Sequence, residues 1–443
     1  MKADIRIAWI LACGSERREW WRFTLTLLGA LLATGFALAA VVVAAVPGQV
    51  SIPYAHGLLN QPGERAGVVF TLGLLLIPVL GFLGQCARIG AVHRHRRMAG
   101  MRLAGASPAQ VRRIAAVESV FACLAGSSAG FAGFAVLLAV AGHTPPPVAW
   151  AGFVAVVLAV PVVAALVSVF ALRHVVASPL DHVRRTNPRR GRRAALASLL
   201  AVGLIAAAAL LHLSPAGRSV KPFVLLVLGL VLLTGAGAIW VTGAFAAFMG
   251  RRLTLRAKNP AVLIAASRLA HDPWAAARTH AALLLVTVVG VGFVGVRGIL
   301  LALLERNDYE PMDLAFYTTG IDLAGAAVLV ALAISLCGLA VGTAESLATR
   351  RRGLAAQSAA GVPHAVLARA TLLETALPLA PALLLAGAGG VVVYLAYAAV
   401  ASGPVSLVPL LVPVVVYAAC LLAAATSLPL LRRVANPAEL RFT

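Results

Sequence analysis

Ten stretches of this chain stay apolar for about 18 residues or more, near 22–46, 66–87, 117–141, 148–172, 194–213, 222–249, 281–304, 321–348, 372–400 and 407–430. In lipid, every backbone N–H and C=O of such a run must be paired within the segment, and an α-helix achieves that. The runs therefore predict an all-α polytopic membrane protein with ten transmembrane helices. The first run is too long, and followed by too many others, to be a cleaved signal peptide. Composition agrees: 61% of the 443 residues are apolar and 12% are charged, against about 45–50% and about 25% in soluble domains. A soluble enzyme, a disordered chain, a collagen-like fibre and a disulfide scaffold are excluded.

The 37 Lys and Arg residues are distributed by the same ten runs. With the N-terminus placed in the cytoplasm, 32 fall in cytoplasmic segments and four in external loops, and Arg297 sits inside the seventh run. That asymmetry predicts both termini on the cytoplasmic side of a bacterial inner membrane. A surplus of basic residues could suggest nucleic acid, but clustering between apolar runs reads as topology. The external loops are short, the longest being 47–65 and 305–320, too short for a folded extracellular domain. The five cysteines are scattered singly and form neither a disulfide framework nor a zinc motif.

The chain repeats itself at an offset of 256 residues. Arg96 falls on Arg352, Gly105 on Gly361, Arg113 on Arg369 and Glu118 on Glu374. Each copy leads from a basic stretch, through Gly, into a short helix ending in Glu and then into a new span. A second match ends each half: residues 172–181 resemble 431–439, with Ser178-Pro179 and Asn436-Pro437 as cap and first-turn pairs, and Asp181 and Glu439 at capping-box positions. Each repeat also opens on an amphipathic stretch with interfacial tryptophans, Trp9, Trp20 and Trp21 in the first and Trp274 in the second. The organisation read from this is a first four-span repeat with its interfacial helix over 1–183, a basic linker and two connecting spans over 184–250, and a second four-span repeat over 251–443. The repeats are parallel, related by an axis along the membrane normal.

At these residues the sequence resembles the FtsX-like permeases, membrane subunits of one class of ABC transporter. The basic stretch, a Leu-Gly-Ala-Ser-like turn, a short helix and a Glu at the next span are carried by Arg96, Arg97, Arg102, Leu103, Gly105, Ala106, Ser107 and Glu118. The second copy is degenerate, with Ser358 in place of the Arg and Pro363 in place of the Ser. The resemblance implies that each element docks a separate ATP-hydrolysing subunit, through Arg102, Leu103, Gly105, Ala106, Ser107, Pro108, Arg112 and Arg113 in the first copy. The second-copy counterparts are Gly361, Val362, Pro363, His364 and Arg369. It further implies one ABC ATP-binding subunit per repeat, hence two per permease, with ATP and Mg bound by that partner and no cofactor in this chain. Ten-span relatives of the peptide-sensing type carry a large extracellular domain between spans seven and eight; here that place holds only 305–320.

The residues themselves support docking. Gly105 permits a sharp turn, Ser107 can cap and Pro108 can open a helix; the alternative is an ordinary capped loop. Glu118 and Glu374 either pair with arginines of the docking segment or partner, or sit at a helix N-terminus favoured by its dipole. Arg297 with Glu305, Asp308, Glu310, Asp313 and Asp322 reads either as a polar substrate entrance or as a snorkelling arginine beside a solvated acidic loop.

Other chemistry is missing. A Walker A lysine follows Gly and precedes Ser or Thr, and none of Lys2, Lys221 and Lys258 does. Gly126-Ser127-Ser128-Ala129-Gly130 has a hydrolase-elbow spelling but lies within a span, where it also reads as a close-packing Gly-x-x-x-Gly. His93 and His95 alternate with arginines, a field that repels a metal ion. The expected function is therefore the non-enzymatic permease subunit of an ATP-driven transporter, exporting or extracting a hydrophobic or amphipathic molecule. The alternatives are a signalling permease that moves no substrate and an ion-coupled secondary transporter. The latter is disfavoured because no Asp, Glu or His lies mid-span.

Overall fold

A computed structural model of the chain describes residues 17–52, 55–86, 100, 103, 105–142, 144–177, 220–306, 311–401 and 403–436. Among them the regular structure is helical, with no strand. In chain order the helices are α1 (Arg17–Ala45), α2 (Pro62–Cys86), α3 (Pro108–Val140), α4 (Pro147–Ala177), α5 (Val220–Arg256), α6 (Pro260–His271), α7 (Pro273–Arg306), α8 (Pro311–Thr349), α9 (Arg351–Ala359), α10 (His364–Ala401), α11 (Leu411–Ala425) and α12 (Leu428–Val434). Proline opens α2, α3, α4, α6, α7 and α8. Its missing N–H is one that a helix start cannot pair in any case, so it begins a helix without loss.

The described helices supply eight candidate membrane spans: in α1, α2, α3, α5, α7, α8 and α10, and across Val408–Val434, which takes in α11 and α12. The fourth apolar run of the sequence lies within α4. The run at 194–213, the basic linker before it, and Ser178, Pro179, Asp181, Pro437 and Glu439 lie outside the described residues. The protein is an all-α, multi-pass membrane protein.

The chain forms two compact units, one of Met1–Arg184 with Ala315–Thr349 and one of Arg185–Leu314 with Arg350–Thr443. This grouping crosses the sequence repeats, because most of α8 lies with the first four spans. In that first unit α1 packs on α2, α3 and α4. Small residues allow the approach: a Cβ on Gly126 would meet the Leu27 carbonyl of α1, and one on Gly130 would lie 3.1 Å from the Leu31 carbonyl. Thr34 of α1 donates to the buried Ser127 hydroxyl at 3.0 Å, and Ser127 donates to the Val157 carbonyl of α4 at 3.2 Å. The elbow-like sequence is thus a three-helix joint, with its serine committed to a backbone acceptor. α8 joins through Ile334, which packs with Val79 and Phe82 of α2.

The described residues of the connection before α2 are also hydrogen-bonded to it. Arg65, buried in the first turns of α2, donates to the carbonyls of Leu59 (3.0 Å), Asn60 (3.3 Å) and Gly48. One cation so satisfies carbonyls at both ends of the connection. His56 Nδ1 pairs with the Thr319 hydroxyl of α8 at 2.9 Å.

In the second unit α7 packs on α5 and α10, and α5 on α6 and α10. Here too glycine sets the contact distances: a side chain on Gly295 would strike the Tyr394 ring, and one on Gly389 would strike Thr234. α6 turns its small-residue face, Ala261, Ala265, Ala266 and Leu269, into the protein. The amphipathic pattern there serves protein packing.

Candidate functional site

The glycines of the two turns share a left-handed φ. Gly105 has φ +94° and Gly361 has φ +88°, the left-handed region that glycine enters without steric cost. After Gly105, Ser107 caps α3 with a full capping box: its hydroxyl accepts from the Gln110 N–H at 3.2 Å, and the Gln110 side chain accepts from the Ser107 N–H at 2.8 Å. Gly361 instead ends α9. Its N–H donates to the Ser358 carbonyl and that of Val362 to the Gln357 carbonyl, both at 3.0 Å, the paired bonds of a Schellman motif. Pro363, where the first copy has its capping serine, then leads into α10.

The short helix expected after each turn is not a separate element. No glycine or proline occurs between Ala109 and Leu124 or between His364 and Leu377, so nothing breaks the hydrogen-bond ladder. α3 runs unbroken for 33 residues, about 50 Å at 1.5 Å per residue. That exceeds a hydrocarbon core of about 30 Å, and the polar Arg112, Arg113 and Glu118 all lie in the first three turns. Its first three turns therefore project beyond the apolar layer as a rigid extension of the span.

Both turns are accessible. Leu103 is 87% exposed, and Gly105, Ser107 and Arg113 are exposed, as are Gly361, Pro363, His364 and Arg369; Ala106 and Val362 are half-buried. Arg102 lies outside the described residues, and the side chains of Pro108, Arg112 and Glu118 are likewise not described. Glu374 is. It stands in the third turn of α10, too far from the N-terminus for the helix dipole, which fades within the first turn. Two arginines hold it: Arg350, at the cap of α9, donates at 2.6 Å and Arg268 of α6 at 3.2 Å. The carboxylate joins α6, the start of α9 and α10. Sequence periodicity could flag Glu374 through the repeat but could not find Arg268, which is 106 residues away and carries no local motif.

Arg297, Glu305 and Asp322 are exposed. Asp308 and Glu310 lie outside the described residues, and the Asp313 side chain is not described.

Compared with known families, residues 68–180 match the model described as FtsX-like permease C-terminal. The matched segment runs from α2 to the end of α4 and contains the Gly105 turn and Glu118. The chain matches none of the curated proteins with which it was compared. The chain thus carries an FtsX-like permease domain over residues 68–180, which supports a membrane permease component of an ABC-type system.

Proposed function

We propose that this permease works with a separate ATP-hydrolysing subunit, which docks on the Gly105 and Gly361 turns, and that ATP-driven motion moves a hydrophobic or amphipathic molecule out of the membrane. The observation that carries this reading is the recurrence of one exposed, left-handed glycine turn at the head of a long span helix in each half, at φ +94° and +88°. A turn continuous with the 33 residues of α3, or with the 14 residues of α10 that precede Pro378, acts as a lever, because a push at the turn is passed along a rigid rod toward the bilayer. Two docks imply two ATPase copies for one permease, each binding its own ATP and Mg. The arginine asymmetry supports placing the turns and both termini in the cytoplasm, with the chain in a bacterial inner membrane. The short external connections favour a substrate taken from the bilayer over force applied to an envelope protein, the alternative reading.

The test is affinity purification of the full chain in mild detergent, followed by native mass measurement. The expected complex holds one permease and two copies of a P-loop subunit, and ATP turnover requires that subunit. Two permeases per complex would refute the stoichiometry. ATP hydrolysis by the purified chain alone would overturn the assignment.

A further inference from the structure

We infer that the turn joining α5 to α6 is an additional contact for the ATP-hydrolysing subunit on the second unit, beside the Gly361 turn; this rests on the docking reading above. Helix directions place it there. Cβ positions built on Gly250 and Gly243 fall against the Ala270 backbone (2.5 Å) and the Trp274 ring (2.5 Å), so α6 runs antiparallel to the end of α5. Gly389 meets Thr234, which sets the far half of α10 against the first half of α5. With Glu374 on Arg268, α10 is also antiparallel to α5. α6 and α10 therefore start at the same end of the unit. Counted back from the ion pair, Pro260 lies about 12 Å and His364 about 15 Å along their helices. The two turns finish at nearly the same height.

The α5–α6 turn carries what a docking surface needs. Leu255 is 87% exposed, Arg256 and Lys258 are exposed, and Leu263 on α6 is 43% exposed. The sixth apolar run ends near residue 249, and Arg256 is seven residues further along α5, about 10 Å, whereas the headgroup layer adds only about 5–8 Å on each side. A leucine that far out and that bare is out of reach of lipid tails. The cations beside it call for an acidic partner surface, since Glu374 at this end of the unit is already held by two arginines. The placement also accounts for the degenerate second repeat. Ser358 and Ala368 stand where the first copy has Arg102 and Arg112, and Arg256 and Lys258 restore two positive charges next to the same turn.

The experiment is site-specific photo-crosslinking in native membranes, with a photoactivatable phenylalanine at Leu255, at Val362 in the Gly361 turn, or at Leu384 as a mid-span control, and adducts identified by peptide mass. Leu255 and Val362 should capture the same subunit, recognised by its P-loop peptide, and Leu384 should not. A P-loop adduct from Val362 with none, or only lipid, from Leu255 overturns this inference and leaves the docking reading standing. No P-loop adduct from either position overturns both. Charge reversal by Arg256→Glu with Lys258→Glu should lower the co-purifying ATPase at least tenfold at unchanged permease yield. Retention within twofold would likewise overturn the inference.

Discussion

Replacing Glu374 by Gln is the sharpest test of how the second unit is held together. The substitution keeps the side-chain volume and one acceptor while removing the charge that both Arg268 and Arg350 face. The two contacts, at 3.2 and 2.6 Å, are charge-assisted bonds of the class that contributes about 1.5–3 kcal/mol each when well formed. Exposure lowers that figure. Glu374 is 20% exposed, Arg268 14% and Arg350 36%, so the Arg350 contact is nearer to the ~0.2–1 kcal/mol of a solvated pair. Together these give an expected destabilisation of about 2 kcal/mol, with the two remaining arginines left close to each other. Thermal unfolding of the full chain in detergent, followed by tryptophan fluorescence, should shift down by several degrees, at roughly 2–4 °C per kcal/mol for a unit of this size. A double-mutant cycle with Arg268→Ala should return a coupling energy above ~0.5 kcal/mol. Unfolding of Glu374→Gln within 1 °C (roughly 0.3–0.5 kcal/mol) of the parent, or strict additivity in the cycle, would refute the argument that this carboxylate ties α6, α9 and α10 together.

Gly105→Ala and Gly361→Ala each impose a left-handed φ on a residue with a side chain, at a cost of about 1–2 kcal/mol; ATPase co-purification should fall while membrane insertion, measured by protease protection, stays normal. Gly126→Val should push α3 off α1 and lower the yield of folded protein, whereas Ser127→Ala should lower it less, by the loss of interhelical hydrogen bonds of about 0.6–2 kcal/mol. Arg102→Ala should uncouple ATP turnover from transport far more than Ser358→Ala; equal losses would show that the difference between the copies has no mechanical meaning. Joint neutralisation of Asp308, Glu310 and Asp313 should alter substrate-stimulated ATP turnover more than complex assembly, and unchanged turnover would make 305–322 a solvated connector.

Helix type and position were legible because each apolar run leaves the backbone one way to satisfy its hydrogen bonds, and because prolines mark where helices begin. The glycine turns were legible through the repeat, which put Gly105 and Gly361 in register before any dihedral was known. Where each helix ends was harder to read. Hydropathy reports where apolar side chains stop, whereas helix continuity depends on the absence of Gly and Pro, so α3 starts at Pro108, about two and a half turns before the apolar run that begins near residue 117. The pairing of Glu374 with Arg350 could be anticipated from the docking segment, but Arg268 could not, since nothing in an amphipathic helix announces which carboxylate it will meet.

Helix partnership was the least legible feature, for a physical reason. Between spans there is no hydrophobic difference to read, because a lipid tail is as apolar as a leucine. The residues that choose neighbours are instead the small ones that permit contact and the few polar ones that demand it. Gly126 and Ser127 choose α1 and α4 for α3, and Gly389 chooses α5 for α10. α8, assigned to the second repeat by sequence, sits with the first four spans through Ile334 on Val79 and Phe82 and through Thr319 on His56. The repeats therefore share a plan in sequence but not a set of neighbours in space. In the second unit α5 packs on α7 and α10, and with α6 it ends beside the Gly361 turn. The turn with Ser358 and Ala368 at two of the first copy's arginine positions is thus the one served by a helix pair from the middle of the chain.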